Sequence, residues 1–335
     1  MSIHDTLGRP LRDLRISVTD RCNFRCTYCM PREVFGPDYQ FLDRQELLSY
    51  EEIARLARIF ARLGVEKIRV TGGEPLIRKD VERMISLISN INGISDITLT
   101  TNGSLLRRKA KGLAEAGLRR VTVSLDSLDD NVFSEMNDSG VPVATVLEGI
   151  DAAAAAGLSP IKVNAVIQRG VNDQTMVDLA RHFHGTGHIL RFIEFMDVGN
   201  TNDWRLDEVV TAKEMTERID AELPIEPLEP NYVGEVARRW RYRDGGGELG
   251  FITSISQSFC GECTRARLSP EGQLFTCLFS GTGFDLRELV RSDVSNSVIE
   301  SAIGEVWSRR TDRYSEIRSE ATTDLPRVEM SRIGG

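Results

Sequence analysis

Six short segments rich in β-branched residues, at 14–19, 67–71, 97–101, 120–125, 161–167 and 189–195, recur through the first part of the chain with helix-length gaps between most of them. Each has the length and composition of a buried strand. Helical patterns occupy 45–63, 79–89, 105–116, 143–156 and 174–184; in the first, Leu47, Leu48, Ile53, Leu56, Ile59, Phe60 and Leu63 follow the helical period. A strand reaches a parallel neighbour only through a long connection across one face, so repeated strand-helix units require an α/β fold with right-handed crossovers. An incomplete or open (β/α) barrel is the natural closure, and a doubly wound sheet satisfies the same periodicity. The run Ala152 to Ala156 reads as a helix packed closely on that sheet, Ala being the strongest helix former.

After Gly199 the alternation stops. A helix at 211–219 is followed by Pro224, Pro227 and Pro230 and then by Arg-rich and Gly-rich turns, so 1–199 and 200–335 read as two regions, the second less regular. With 41% hydrophobic and 27% charged residues the chain belongs to the globular class. Its 42 basic and 50 acidic residues give a net charge of −8, which argues against a general nucleic-acid binder but allows a local basic pocket. The charged N-terminus has no apolar stretch, and no later segment offers about 20 consecutive apolar residues, so a cytoplasmic protein with no membrane association is expected. Thiols stay reduced there, which turns its six cysteines toward metal or redox chemistry rather than disulfides.

Three of them, Cys22, Cys26 and Cys29, form C-x3-C-x2-C directly after the first strand. Loops at the carboxyl ends of parallel barrel strands are where chemistry is done. A structural zinc site wants four protein ligands, and the nearest candidate for a fourth is His4. Three thiolates on a four-iron cluster instead leave one iron open to a small molecule. The other three, Cys260, Cys263 and Cys277, form C-x2-C-x13-C around Arg265 and Arg267, with no histidine as far as Phe284. A zinc knuckle is one reading of this spacing; two [4Fe-4S] clusters, each with an open iron, is the simplest reading of both triples together.

The first triple resembles that of the radical S-adenosylmethionine (SAM) enzymes, and Gly72-Gly73-Glu74-Pro75, after the second strand, is similar to their glycine-rich motif. Together with Asp20-Arg21-Cys22-Asn23, Tyr28-Cys29-Met30-Pro31, Ile193-Glu194-Phe195-Met196, the box from Cys260 to Arg267 and the terminal Gly334-Gly335, the chain resembles the GTP 3′,8-cyclase family of molybdenum-cofactor biosynthesis. The resemblance spans nearly the whole chain, although between 205 and 258 only scattered positions match. It implies an incomplete (β/α)6 radical SAM barrel over 1–199, and a less regular C-terminal region over 200–335 carrying a second iron–sulfur cluster and the Gly-Gly tail.

The implied reaction is that of a radical SAM lyase. A 5′-deoxyadenosyl radical removes hydrogen from ribose C3′ of GTP, and the carbon radical attacks guanine C8 to give 3′,8-cyclo-7,8-dihydro-GTP. The resemblance assigns Cys22, Cys26 and Cys29 to the SAM cluster, and Cys260, Cys263 and Cys277 to the cluster that binds the guanine. SAM contacts fall on Tyr28, Gly73, Ser124 and Met196. GTP contacts fall on Arg15, Arg69, Thr100, Lys162, Arg265 and Arg267, joined by Lys67. It further implies a reductant protein of flavodoxin or ferredoxin type, a next enzyme that receives the product, and room for a homodimer. The glycine tail is implied to reach into the active site, where a frayed terminus is the plain alternative.

Two other functions compete. One is a radical SAM enzyme that modifies peptides and carries an auxiliary cluster, disfavoured by only three C-terminal cysteines; the other is a zinc-stabilised binding module without catalysis. His182, His184 and His188 imitate a metal motif but fall at a helix end and turn, where solvent exposure is expected.

Overall fold

In the computed structural model, which describes residues 3–318 and 325–335, the strands β1 (Asp13–Ser17), β2 (Lys67–Thr71), β3 (Asp96–Thr101), β4 (Arg120–Ser124), β5 (Lys162–Ile167) and β6 (Ile189–Glu194) are all parallel and pair in chain order. A doubly wound sheet would reverse its order at the middle, so this succession leaves the barrel. The connecting helices are α1 (Tyr50–Arg62), α2 (Val81–Ser89), α3 (Leu106–Glu115), α4 (Asp130–Asn137), α5 (Val143–Ala155) and α6 (Met176–Phe183). The expected start of α1 at 45 moves to Tyr50 because Ser49 caps it: its hydroxyl accepts from Glu52 N at 3.1 Å, and the Glu52 carboxylate accepts from Ser49 N at 2.6 Å. Nothing in the sequence reading anticipated α4, a short polar helix capped by Asp129.

The barrel does not close on itself. On the β6 side the sheet continues through β9 (Glu248–Ile252), and on the β1 side through β10 (Arg265–Leu268), both parallel to their neighbours. Antiparallel β11 (Gln273–Phe275) and β12 (Phe284–Asp285) extend one edge, while β8 (Arg238–Tyr242) and β7 (Ile225–Pro227) extend the other. The C-terminal region thus occupies both open edges, whose unpaired backbone groups would otherwise invite another chain. It reaches the outer surface too. Helix α7 (Ala212–Asp220) packs on β6 and α6, while α8 (Arg287–Arg291) and α9 (Asn296–Ser308) lie against α1, where the Arg55 guanidinium donates to Val290 O and Val294 O at 2.8 Å.

Strand alternation sorts the side chains by face. Leu14, Ile16, Ile68, Val70, Leu99, Val121, Val123, Val163, Ala165 and Phe192 are buried under the helices. The opposite positions carry Arg15, Lys67, Arg69, Thr100, Ser124, Lys162, Asn164 and Arg191, all lining one interior cavity. The strands are buried, as expected, yet β1 to β4 each carry polar residues along one face, and β5 and β6 add Lys162, Asn164 and Arg191 to the lumen.

At the end of α6, His184 Nε2 lies 2.9 Å from Asp244 Oδ2, while His182 is exposed and His188 half-buried. Among the described residues no helix is long and apolar enough to cross a membrane.

Candidate active site

The loop after β1 holds the first cysteine triple. Cys26 O accepts from Cys29 N at 3.0 Å and Met30 N at 2.8 Å, which curls the chain so that the three thiols share one side of the loop. Arg25 braces it, donating to Cys22 O and Phe35 O at 2.8 Å, and the loop is sewn to the end of α4 through Arg25 N and Thr27 N. Tyr28 reaches across the barrel mouth to donate to Asp126 Oδ2 at 2.8 Å, and Asp126 Oδ1 accepts from Val166 N at 2.8 Å. Burial pushes the Cys22 thiol up to about 12 and Asp126 up to about 6.

The loop after β2 presses on the first. Gly73 N donates to Thr19 O at 2.8 Å and Glu74 N to Arg21 O at 2.9 Å. A Cβ on Gly73 would stand 2.2 Å from Arg21 O, so only glycine permits this approach. Glu74 is fully buried; it accepts from Leu76 N, Thr101 Oγ1 and Asn102 N at 2.7–2.9 Å, tying the β2 loop to the β3 loop, and burial pushes it up to about 7.

The second triple lies between β9 and β10 and after β11. Glu194, at the end of β6, helps to place it. Its buried carboxylate accepts from Ala212 N and Ile255 N at 2.7 Å and from Ser256 N at 2.8 Å, joining β6 to α7 and to the segment that leads into Cys260. Burial would push the Cys263 thiol up, but Arg265 and Arg310 outweigh it and draw the group down to about 6. Burial raises Cys277 to about 11. The guanidinium groups beside Cys263 thus set it apart from Cys22 and Cys277, whose thiols burial raises.

All six cysteines face a single cavity of about 310 Å³, together with Tyr28, Gly73, Ser124, Met196, Arg15, Lys67, Arg69, Thr100, Lys162, Arg265 and Arg267. Every site residue singled out in the sequence is brought together there. Arg69 Nη1 donates to Thr100 Oγ1 at 3.1 Å and Thr122 Oγ1 at 3.2 Å. Burial and neighbouring like charges lower Arg15 well below its ordinary value, Arg267 to about 10, and Lys162 to about 7. The nearest carboxylates, Asp13 and Asp96, lie 3.8 Å from Lys67 Nζ at one end of the lumen. Guanidinium groups do not give up their protons in proteins, so the crowding is a standing electrostatic cost that a polyanion would relieve.

Sequence reasoning missed several cavity residues. Arg191 donates from Nε to Asn164 Oδ1 at 2.9 Å, and burial with the Arg69 charge lowers it to about 9. In β6 it is register-paired with Asn164, a placement that the sheet shows and the local sequence, which does not alternate, does not. Tyr232, Gly234 and Glu235 come from the stretch left unassigned, and the Tyr232 ring lies 5.6 Å from Lys67 Nζ; no motif announces them.

The tail also enters the site. Gly334, at φ 74°, lies against Thr71, where a Cβ would stand 2.1 Å from Cγ2, and Arg267 Nη1 donates to Gly334 O. Gly335 lines the cavity. Upstream, buried Asp197 pairs with Arg318 at 3.0 Å and Arg327 at 3.1 Å and accepts from Tyr314 Oη at 2.6 Å, holding the returning chain beside Met196.

Among the described residues, no three His, Cys, Asp or Glu side chains converge as the ligands of a single metal ion would. Each triple is nevertheless an all-thiol donor set facing an open cavity, with no histidine or carboxylate completing a tetrahedron. That donor set is the chemistry of an iron–sulfur cluster with one open corner.

Comparison with known proteins agrees with this geometry. Residues 16–183 match the Radical SAM superfamily, and residues 188–316 match the Molybdenum Cofactor Synthesis C family. The GTP 3′,8-cyclase of Acidothermus cellulolyticus is 58% identical over 99% of both chains, and that of Staphylococcus epidermidis is 49% identical over 99% of both. The crystal structure of Streptococcus suis SuiB bound to S-adenosylmethionine covers 94% of this chain and 72% of its own at a TM-score of 0.64 and 15% identity, a likeness of fold. With relatives of this identity along its whole length, the chain belongs to the GTP 3′,8-cyclase family of the radical SAM superfamily.

Proposed function

We propose that the chain converts GTP into 3′,8-cyclo-7,8-dihydro-GTP, an early step of molybdenum-cofactor biosynthesis. The observation that carries this reading is one cavity shared by two thiol triples and a crowd of lumen cations. Cys22, Cys26 and Cys29 would hold one four-iron cluster, and Cys260, Cys263 and Cys277 the other. The cleft between the Gly73 turn, Tyr28, Ser124 and Met196 would hold SAM. When bound, these groups supply single electrons and hydrogen-atom abstraction.

The remaining work falls to the chain. Arg15, Lys67, Arg69, Lys162, Arg265 and Arg267 grip the triphosphate, with Arg191 added by the structure and Thr100 bonded to Arg69. Charge-assisted hydrogen bonds contribute roughly 1.5–3 kcal/mol each, so four to six cations supply about 6–18 kcal/mol, a range that spans the ~8 kcal/mol micromolar binding requires. Fixing the triphosphate at one end and the base at the second triple would restrict the rotations between ribose and guanine, and such pre-orientation favours intramolecular attack. The Gly334-Gly335 backbone covers the cavity without side chains that would displace the substrate.

The test is anaerobic incubation of the iron-loaded protein with GTP, SAM and a strong reductant. 5′-Deoxyadenosine formation should depend on GTP and accompany a product convertible into a pterin. Equal formation with ATP, or formation only with a peptide, would overturn the assignment. The same reading takes a flavodoxin- or ferredoxin-type protein as the electron source, the next enzyme of the pathway as the recipient of the product, and the cytoplasm as the place; sedimentation would decide between monomer and homodimer.

Lys162 makes the binding pH-dependent. Burial holds its free ammonium at about 7, whereas a bound triphosphate favours the charged form. Above pH 7, binding must take up a proton, so the Kd for GTP rises with pH, by up to about tenfold per unit. Below pH 7 the lysine is already charged and this dependence vanishes. Calorimetry from pH 6 to 9 should show the rise, and Lys162→Met should weaken binding at pH 6 and flatten the profile.

A further inference from the structure

Behind the second thiol triple lies a buried charged cluster that the proposed reaction leaves unused. The side chains of Asp5, Arg9 and Arg310 are 0%, 2% and 1% exposed. Arg9 pairs with Asp5 and donates from Nη1 to Cys260 O and Asp312 O at 2.8 Å. Arg310 donates from Nε to Asp312 Oδ2 at 2.9 Å and from Nη1 to Cys263 O at 2.7 Å, and its guanidinium lies 4.6 Å from the Trp307 ring. Trp307 is held in turn by donating to Arg9 O at 3.1 Å. With its plane set by these contacts, Arg310 aims Nη2 at the Cys263 sulfur, 3.3 Å away. The first triple differs in kind: Cys22 Sγ accepts from the neutral Phe24 N at 3.4 Å and Asn102 Nδ2 at 3.9 Å.

We propose that Arg310 is a positioning residue of the second centre, holding Cys263 in place and raising the reduction potential of the cluster there by donating to its sulfur. The inference rests on the reading that Cys260, Cys263 and Cys277 hold a four-iron cluster. Reduction adds one electron from an external reductant to the irons, with no bond broken and no proton moved, and the added negative charge is shared with the ligating sulfurs. A cationic donor already aimed at one sulfur stabilises that form more than the oxidised one, and burial leaves the attraction little screened. Hydrogen bonds to sulfur are one of the levers by which a protein sets a cluster's potential. Asp5 and Asp312 balance the two arginines, so the effect comes from direction rather than excess charge.

The test is an anaerobic potentiometric titration, read by electron paramagnetic resonance, of the full chain carrying Cys22→Ser, Cys26→Ser and Cys29→Ser, so that the second cluster alone responds. With about four irons retained, Arg310→Gln should show a more negative midpoint, its reduced fraction at a fixed ambient potential falling several-fold, and Arg310→Lys should lie between it and the parent. An unmoved midpoint in iron-loaded Arg310→Gln overturns the proposal. Where Arg310→Gln loses its iron, Arg310→Lys decides: a lowered midpoint supports the proposal and the parent's midpoint overturns it. A parent that binds no iron at the second triple would overturn the cluster reading itself, and the proposal with it.

Discussion

Gly73→Ala is expected to cut 5′-deoxyadenosine formation at least about a hundredfold, because misplacing reacting groups by about 1 Å costs that much. The added Cβ would stand 2.2 Å from Arg21 O and 2.6 Å from Arg21 C, and these are backbone atoms that no rotamer change can move. Arg21 directly precedes Cys22, so the strain falls on the loop that holds the first triple. Neither side has slack: Gly73 N and Glu74 N are bonded to that loop, and Glu74 is anchored by three further hydrogen bonds. The lumen cations lie within the strands and the second triple on other loops, so GTP affinity and the second cluster's iron should stay near the parent's. Activity within threefold of the parent, measured by chromatography of deoxyadenosine, would refute the close-approach argument.

Arg191→Leu should change binding and stability in opposite directions. Losing one charge-assisted contact to the triphosphate should raise the Kd for GTP by roughly 10- to 150-fold, the equivalent of 1.5–3 kcal/mol. The ligand-free protein should gain stability, because the substitution removes a buried cation that burial and Arg69 already disfavour. Stability given up for a functional charge is common at binding sites. Calorimetry with GTP and thermal unfolding without it separate the two effects. A lower melting temperature together with unchanged GTP affinity would assign Arg191 to structure, through its bond to Asn164.

Both predictions turn on how much of the site could be read in advance. The six parallel strands fall within one or two residues of their expected places, since length, β-branched content and turn residues are local properties. The cysteine triples and the glycine motif were legible for a chemical reason: clusters and close backbone approach admit few residue types. Arg191 was overlooked because I-L-R-F-I-E, unlike K-I-R-V-T and R-V-T-V-S, does not alternate. Alternation marks two faces without saying which one is inside. A segment such as R-R-W-R-Y escaped notice because it lacks the apolar signature of a strand, and is paired because β9, which extends the barrel edge, lies beside it.

The sequence by itself determined the unit of the fold and the residues able to hold clusters, because helix period, strand length and thiol spacing are fixed by covalent connectivity within a few tens of residues. Tertiary structure alone decided three things. Strand order closes the sheet far enough to turn its polar faces into a lumen. The C-terminal edge strands bring Cys260, Cys263 and Cys277 to the cavity that Cys22, Cys26 and Cys29 already face. Arg267 holds Gly334, and Gly335 lines that cavity. Each depends on contacts between residues far apart in the chain, where the energy lies in burial and pairing after closure and no local preference foretells it.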